Sequence, residues 1–162
     1  MRNMHIRSLG MVALLLLAGC ANSPDQSATT AGAAVAAGAP AAARGGTQAD
    51  LAATVGDRVF FDFDRSNLKP EARMTIQRWS DWLKKYPNTT ATIEGHCDER
   101  GTREYNIALG ERRASATKNF LTALGIDPKR VSTISYGKER PAVVGSTEAA
   151  WAQNRRAVLV IN

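Results

Sequence analysis

From Val59 to Asp64 the side chains alternate singly, with Val59, Phe61 and Phe63 set against Phe60, Asp62 and Asp64, which is the period of a β-strand. Pro70 then stands where the first turn of a helix tolerates it, and Glu71 sits beside the positive helix end. Ala72, Ile76, Trp79, Leu83 and Tyr86 recur at helical spacing until Pro87 and Asn88 stop the run. Thr90 to His96 reads as a second strand and Arg103 to Leu124 as a second helix, with Ala114, Thr117, Leu121 and Leu124 toward the sheet and Gly125 as its C-cap. Val131 to Tyr136, ended by Gly137, is a third strand, Thr147 to Gln153 a short helix, and Ala157 to Ile161 a nearly all-apolar buried strand. The order predicts an α/β fold, in form an α+β sandwich of the βαβαβ(α)β type, with helices packed on a mixed four-stranded sheet.

The first third of the chain has no such periodicity. Residues 1–19 carry a short basic start with Arg2 and Arg7, an apolar run Leu9 to Leu17, and the small residues Ala18 and Gly19 immediately before Cys20. That is an export signal, too short for a stable membrane span. Leu17-Ala18-Gly19-Cys20 resembles the bacterial lipobox, which implies an N-acyl and S-diacylglycerol lipid on Cys20 and no other cofactor. Ala21 in place of an aspartate resembles the outer-membrane class of lipoproteins, with the domain facing the periplasm. Residues 20–54 are rich in alanine, glycine, serine and threonine, a composition that cannot bury enough surface to offset ordering entropy, so they read as a flexible tether before a domain at 55–162.

Charge narrows the picture only slightly. The formal charge is +6, and the positive excess is spread through the domain, which suits an anionic surface or polymer without naming one. Arg112-Arg113 and Arg155-Arg156 are doublets without a basic stripe or an exposed aromatic set, so nucleic-acid binding is rejected. His96 and Cys97 are neighbours on a strand and point to opposite faces, which excludes a catalytic dyad or a shared metal site; Cys97 reads as a small, partly buried filler. The two cysteines, Cys20 and Cys97, lie in settings too different for a structural disulfide.

The densest chemistry lies between Glu94 and Ala114, reading EGHCDERGTREYNIALGERRA. The strand delivers Asp98 at its end, Gly101 marks the turn, and Asn106, Leu109 and Arg113 fall on one helix face at spacings of three and four. On residues alone, Asp98 and Arg113 are equally well read as an ion pair bracing the turn and as a grip for a zwitterionic ligand.

This stretch, together with FDFDRSNLKPEA (Phe61 to Ala72), SYGKERP (Ser135 to Pro141) and WAQNRRA (Trp151 to Ala157), resembles the OmpA-like peptidoglycan-binding family, and within it the lipoprotein branch, over Val55 to Asn162. The resemblance implies a non-enzymatic domain holding the cell-wall stem peptide by its meso-diaminopimelate residue, with Asp98 on the ammonium and Arg113 on the carboxylate. It places Phe63, Asp64, Arg100 and Leu109 around the same pocket, and Asn106 at a position that orients the turn. It further implies peptidoglycan, TolB and other Tol-system proteins as partners, and a part in drawing the envelope inward at division. The alternative is a cell-wall hydrolase using Asp62, Asp64, Glu94 and Asp98.

Overall fold

The structure, a computed structural model, describes residues 45–162. The leader 1–19, the candidate lipidation site Cys20 and most of the expected tether lie outside these residues. The described chain runs α1 (Gln48–Thr54), β1 (Arg58–Phe60), α2 (Pro70–Lys85), β2 (Ala91–His96), α3 (Arg103–Ala123), a 3-10 turn (Pro128–Arg130), β3 (Val131–Gly137), α4 (Glu148–Asn154) and β4 (Arg156–Ile161). The sheet order is β1-β4-β2-β3, with β2 and β3 parallel and the other two pairs antiparallel. This is the mixed four-stranded sheet that the hydrophobic periods predict.

The periods also place the core. Val59, Ala91, Ile93, Val131, Ala157 and Leu159 present one face of the sheet, and Ile76, Trp79 and Leu83 of α2 and Ala114, Thr117 and Leu121 of α3 are buried against it. Trp79 carries its polar edge inward without penalty because Nε1 donates to the Gly56 carbonyl at 2.7 Å. α3 ends as its sequence indicates. Gly125 has a φ of 93°, its N–H bonds to the Thr122 carbonyl, and Ile126 N–H reaches the Leu121 carbonyl, so two orphan carbonyls are capped while Ile126 closes over the core.

Two sequence expectations are corrected. The segment Gln48–Thr54, expected to belong to the tether, is helical. Thr47 caps it, and Leu51 is fully buried in the core. The Gln48 amide acts as an extra rung on β4, donating to the Leu159 carbonyl at 3.2 Å and accepting from Ile161 N–H at 2.8 Å, while Asp50 accepts from Trp82 Nε1 at 2.9 Å. One leucine in an alanine-rich run is too faint a periodic signal to separate from a tether.

The first strand, expected over Val59 to Asp64, ends at Phe60. Phe61 still bonds to the Arg155 carbonyl, but Asp62 and Arg65 then close a turn and Asp64 takes a φ of 54°. The turn ends the alternation before Phe63, which does not join Val59 and Phe61 in the core; it is 56% exposed.

Because Leu51 fills a site with no solvent access, Leu51→Ala is expected to cost about 2–4 kcal/mol in urea unfolding. A chain cut to begin at Val55 loses the whole helix and is expected to be less stable than one beginning at Gly45; equal urea midpoints for the two would contradict the docking of α1.

Candidate functional site

The sheet hands over to the site at the C-terminal end of β2. The pairing of β2 with β3 shifts register between Gly95 and His96, and Cys97 N–H bonds to the Gly137 carbonyl at 2.7 Å. The chain then turns through Asp98 to Thr102, with Gly101 at a φ of 87°, and Thr102 caps α3 by accepting from Tyr105 N–H. Asn106, buried on the first turn of α3, fixes this turn from inside: its amide donates to the Arg100 carbonyl at 2.8 Å and the Thr102 carbonyl at 3.0 Å. Lys138 holds the outer side through the carbonyls of Glu99 and Gly101.

Arg113 reaches this place from the third turn of α3. It is fully buried, and it donates to three backbone carbonyls: Nε to Arg65 at 2.8 Å, Nη1 to His96 at 2.7 Å and Nη2 to Asp62 at 3.1 Å. Among the described residues it forms no ion pair. Burial is the largest influence on its pKa and lowers it, opposed by the negative charges of Asp98 and Asp64.

Asp98 is 4% exposed and is paired with Arg100 and Arg155, not with Arg113. Burial pushes its carboxyl up, but the bonds and charge of Arg100, joined by Arg155, outweigh this and hold it below the ordinary carboxylate range. Arg100 Nη2 lies 2.6 Å from Asp98 Oδ2, and its guanidinium is sandwiched between the rings of Phe63 at 3.9 Å and Trp151 at 4.0 Å. Across the site the Tyr105 hydroxyl bonds to the Asp64 carboxylate.

These groups enclose a cavity of about 190 Å³ lined by Phe63, Asp64, Asp98, Arg100, Asn106, Leu109 and Arg113, with Cys97, Gly101 and Tyr105. All seven residues singled out in the sequence therefore meet at one place. Of the three others, Gly101 marks the turn in the sequence, Tyr105 carries a signal only through its position before Asn106, and Cys97 reads as filler. It is indeed buried, its thiol pushed up to about 11 by burial, with Sγ 3.3 Å from the Asn106 carbonyl. Arg155 and Trp151 were quoted within a motif, and nothing in their spacing ties them to Asp98.

Of the four acids proposed for hydrolysis, Asp64 and Asp98 share the cavity, where Asp64 accepts from the Tyr105 hydroxyl, and the other two lie elsewhere. Glu94 lies on β2 with His96 on the sheet face away from the helices, Asp62 pairs with Lys69 in solvent, and Asp98 is occupied by arginines. Among the described residues no cluster of three His, Cys, Asp or Glu side chains is placed to hold a metal.

Comparison with protein families matches residues 60–155 to the OmpA family. A protein of Agrobacterium fabrum named peptidoglycan-associated lipoprotein is 48% identical, the match covering 94% of this chain and 85% of that one. One of the same name from Rhizobium meliloti is 49% identical with the same coverage. Among solved structures, the peptidoglycan-associated lipoprotein of Burkholderia pseudomallei aligns with a TM-score of 0.64 at 42% identity, covering 65% of this chain and 90% of that chain. The C-terminal domain of Helicobacter pylori MotB, at 19% identity and a TM-score of 0.58, covers 64% of this chain and 84% of its own and shares the fold.

His96 bears on stability rather than on the pocket. It is 2% exposed, neither ring nitrogen has a well-formed hydrogen bond, and Nε2 lies 3.5 Å from Glu94 Oε2. Burial, then the charges of Arg156, Arg140 and Arg58, lower its pKa to about 4, with the Arg140 backbone opposing. The unfolded chain takes up a proton near pH 6.5 and the folded one only near 4, so stability is lost as pH falls through that window. The loss is expected to reach up to about 3 kcal/mol, and His96→Gln should remove it. Urea midpoints of the two proteins that fall in parallel between about pH 6.5 and 4.5 would contradict this assignment.

Proposed function

The chain belongs to the OmpA family, beside relatives named peptidoglycan-associated lipoproteins, and we propose that it is a lipid-anchored protein that binds peptidoglycan without covalent attachment. The ligand group proposed is the meso-diaminopimelate of the stem peptide. The observation that carries the reading is Arg113, a guanidinium with no solvent access, no ion pair among the described residues and a place on the wall of the cavity.

A guanidinium has five N–H groups. Three of them, one on each nitrogen, go to carbonyls, which leaves one on each terminal nitrogen for a ligand carboxylate. Asp98, held ionised nearby, supplies the opposite charge for an ammonium. Two charges of opposite sign fixed in one small cavity favour a group bearing both at the matching separation over a ligand bearing either one alone. Phe63, Asp64, Leu109 and Arg100 shape the cavity around that group, and Asn106 keeps the turn in place.

The rest of the proposal follows from the leader and the family. Acyl chains on Cys20 anchor the protein in the outer membrane, with the domain facing the periplasm, and the segment after Cys20 serves as the tether. No described helix is long and apolar enough to cross a membrane. The proposed partners besides peptidoglycan are TolB and other Tol-system proteins, and the proposed roles are envelope integrity and inward movement of the outer membrane during division. The protein acts as a binder, and no catalytic group is assigned to it.

The test is co-sedimentation of the full chain, in detergent, with purified peptidoglycan. Asp98→Ala and Arg113→Lys are each expected to reduce pelleting by at least about tenfold, since Lys keeps the charge and loses the planar fork. Unchanged pelleting by a folded Asp98→Ala protein, or release of soluble muropeptides by the unmodified chain, would overturn the assignment.

A further inference from the structure

The diaminopimelate reading of the cavity leaves one difficulty, and its resolution assigns roles to two further residues. A carboxylate offers about four lone-pair positions, and those of Asp98 are already taken. Oδ1 accepts from the Arg100 backbone N–H and from Arg100 Nε, each at 3.2 Å, and Oδ2 accepts from Arg100 Nη2 at 2.6 Å and Arg155 Nη1 at 3.4 Å. An ammonium reaches this carboxylate only by replacing a donor.

The two arginines are unequal in their freedom to leave. Arg155 is buried, and its other bonds belong to the fold: Nε donates to the Phe61 carbonyl at 3.1 Å, Nη2 to Glu148 Oε1 at 2.6 Å, and its own carbonyl accepts from Phe61 N–H at 2.9 Å. Withdrawing its side chain would leave the Phe61 carbonyl and Glu148 without these donors. Arg100 stands about one-third exposed at the mouth of the cavity, and apart from Asp98 its guanidinium touches the faces of Phe63 and Trp151. Stacked faces tolerate sliding, so the side chain can leave Asp98 and remain between the two rings.

We propose that Arg155 is the positioning residue that holds the Asp98 carboxylate in place for the ligand, and that Arg100 is an exchangeable occupant that yields the carboxylate to the ligand's ammonium. The groups facing Asp98 support this division. They are Arg100 and Glu99 in its own turn, the neutral thiol of Cys97, Arg113 on α3, Asp64 in the loop after β1, and Arg155 on the segment after α4 with Glu148 behind it. When Arg100 withdraws, Arg155 and the entering ammonium oppose the push of burial toward the protonated carboxyl. A neutral amide or hydroxyl does not replace the lost charge-assisted fork, so the exchange admits cations and refuses neutral groups.

The experiment is calorimetric titration of the full chain, in detergent, with a synthetic stem tripeptide ending in meso-diaminopimelate, from about pH 4.5 to 8. Arg100→Ala removes the competitor and is expected to tighten binding by about 2- to 5-fold at neutral pH, the scale of one partly exposed ionic contact. Arg155→Met is expected to weaken binding at least about tenfold and to move the acid midpoint of binding to higher pH, with Arg155→Lys restoring the midpoint. Glu148→Gln, a change at an exposed carboxylate, removes the anion that competes with Asp98 for Arg155 and should shift the midpoint to lower pH, by less. Weaker binding by Arg100→Ala would make Arg100 a ligand contact and overturn the proposal, as would acid midpoints unmoved in both Arg155→Met and Glu148→Gln. A wild-type chain that does not bind the tripeptide would instead overturn the diaminopimelate reading itself.

Discussion

Arg113 is the interaction on which the rest of this structure depends. Its guanidinium leaves α3 and ends among three carbonyls, two from the loop after β1 and one from the last residue of β2, so a single side chain joins a helix, a loop and a strand end. A charge buried this completely is costly unless its donors are satisfied, and here satisfaction comes from backbone that cannot be supplied by any one element. The loop after β1 must therefore fold back over α3 for the domain to form at all. The same loop carries the turn from Asp62 to Arg65, with a left-handed backbone at Asp64 and Phe63 outward at the cavity mouth.

For Arg113 to reach the strand end, α3 has to lie unusually close to β2. Glycines on both surfaces permit it. A Cβ at Gly95 would overlap the Gly110 carbonyl, and a Cβ at Gly110 would meet Ser135 Oγ and the Gly95 carbonyl. The Ser135 hydroxyl completes the contact by bonding to the Ile107 carbonyl at 2.7 Å. Neither glycine is needed for its own backbone freedom; each is needed because a neighbouring main chain occupies the space of a side chain. The depth of the pocket is thus set by a helix-to-strand distance that two absent side chains define.

How far the sequence could be read follows from the range of the forces involved. Period-two and period-3.6 patterns report burial on one face of an element, and that signal is strong in α2, β2 and β4; α3, whose buried face includes Asn106, Arg113 and Thr117, is delimited instead by Thr102 and Gly125, and the bounds of all four match to within a residue or two. The periodic signal failed where a contact is made once instead of repeatedly. Leu51 is a single core residue in an alanine-rich helix, and β1 ends at Phe60, ahead of the turn from Asp62 to Arg65, while the alternation in the sequence continues through Phe63. The site shows the same division. Asn106, Leu109 and Arg113 share a face by spacing and were legible, whereas the partners of Asp98 were not, because Arg155 comes from a segment 57 residues away and is brought in by the β1–β4 pairing.

The two charged ends of the cavity are prepared differently, and the difference shapes what can bind. Both charges are desolvated during folding, so a ligand does not bear that cost on arrival. Arg113 nevertheless keeps two N–H groups unassigned, while Asp98 has no open lone pair among its four contacts. A carboxylate thus adds to the site, and a cation has to exchange into it. A ligand with only a cationic head would trade one cation for another and gain little. A ligand with only a carboxylate would gain the Arg113 bonds and leave Asp98 as it was. In the proposed complex, a molecule bearing both groups holds its ammonium beside Asp98 at a high effective concentration once its carboxylate is bound, which converts a bimolecular exchange into an intramolecular one. In the proposed complex, selectivity for a zwitterion arises because one molecule makes both unequal contacts, and does not require either contact to be strong.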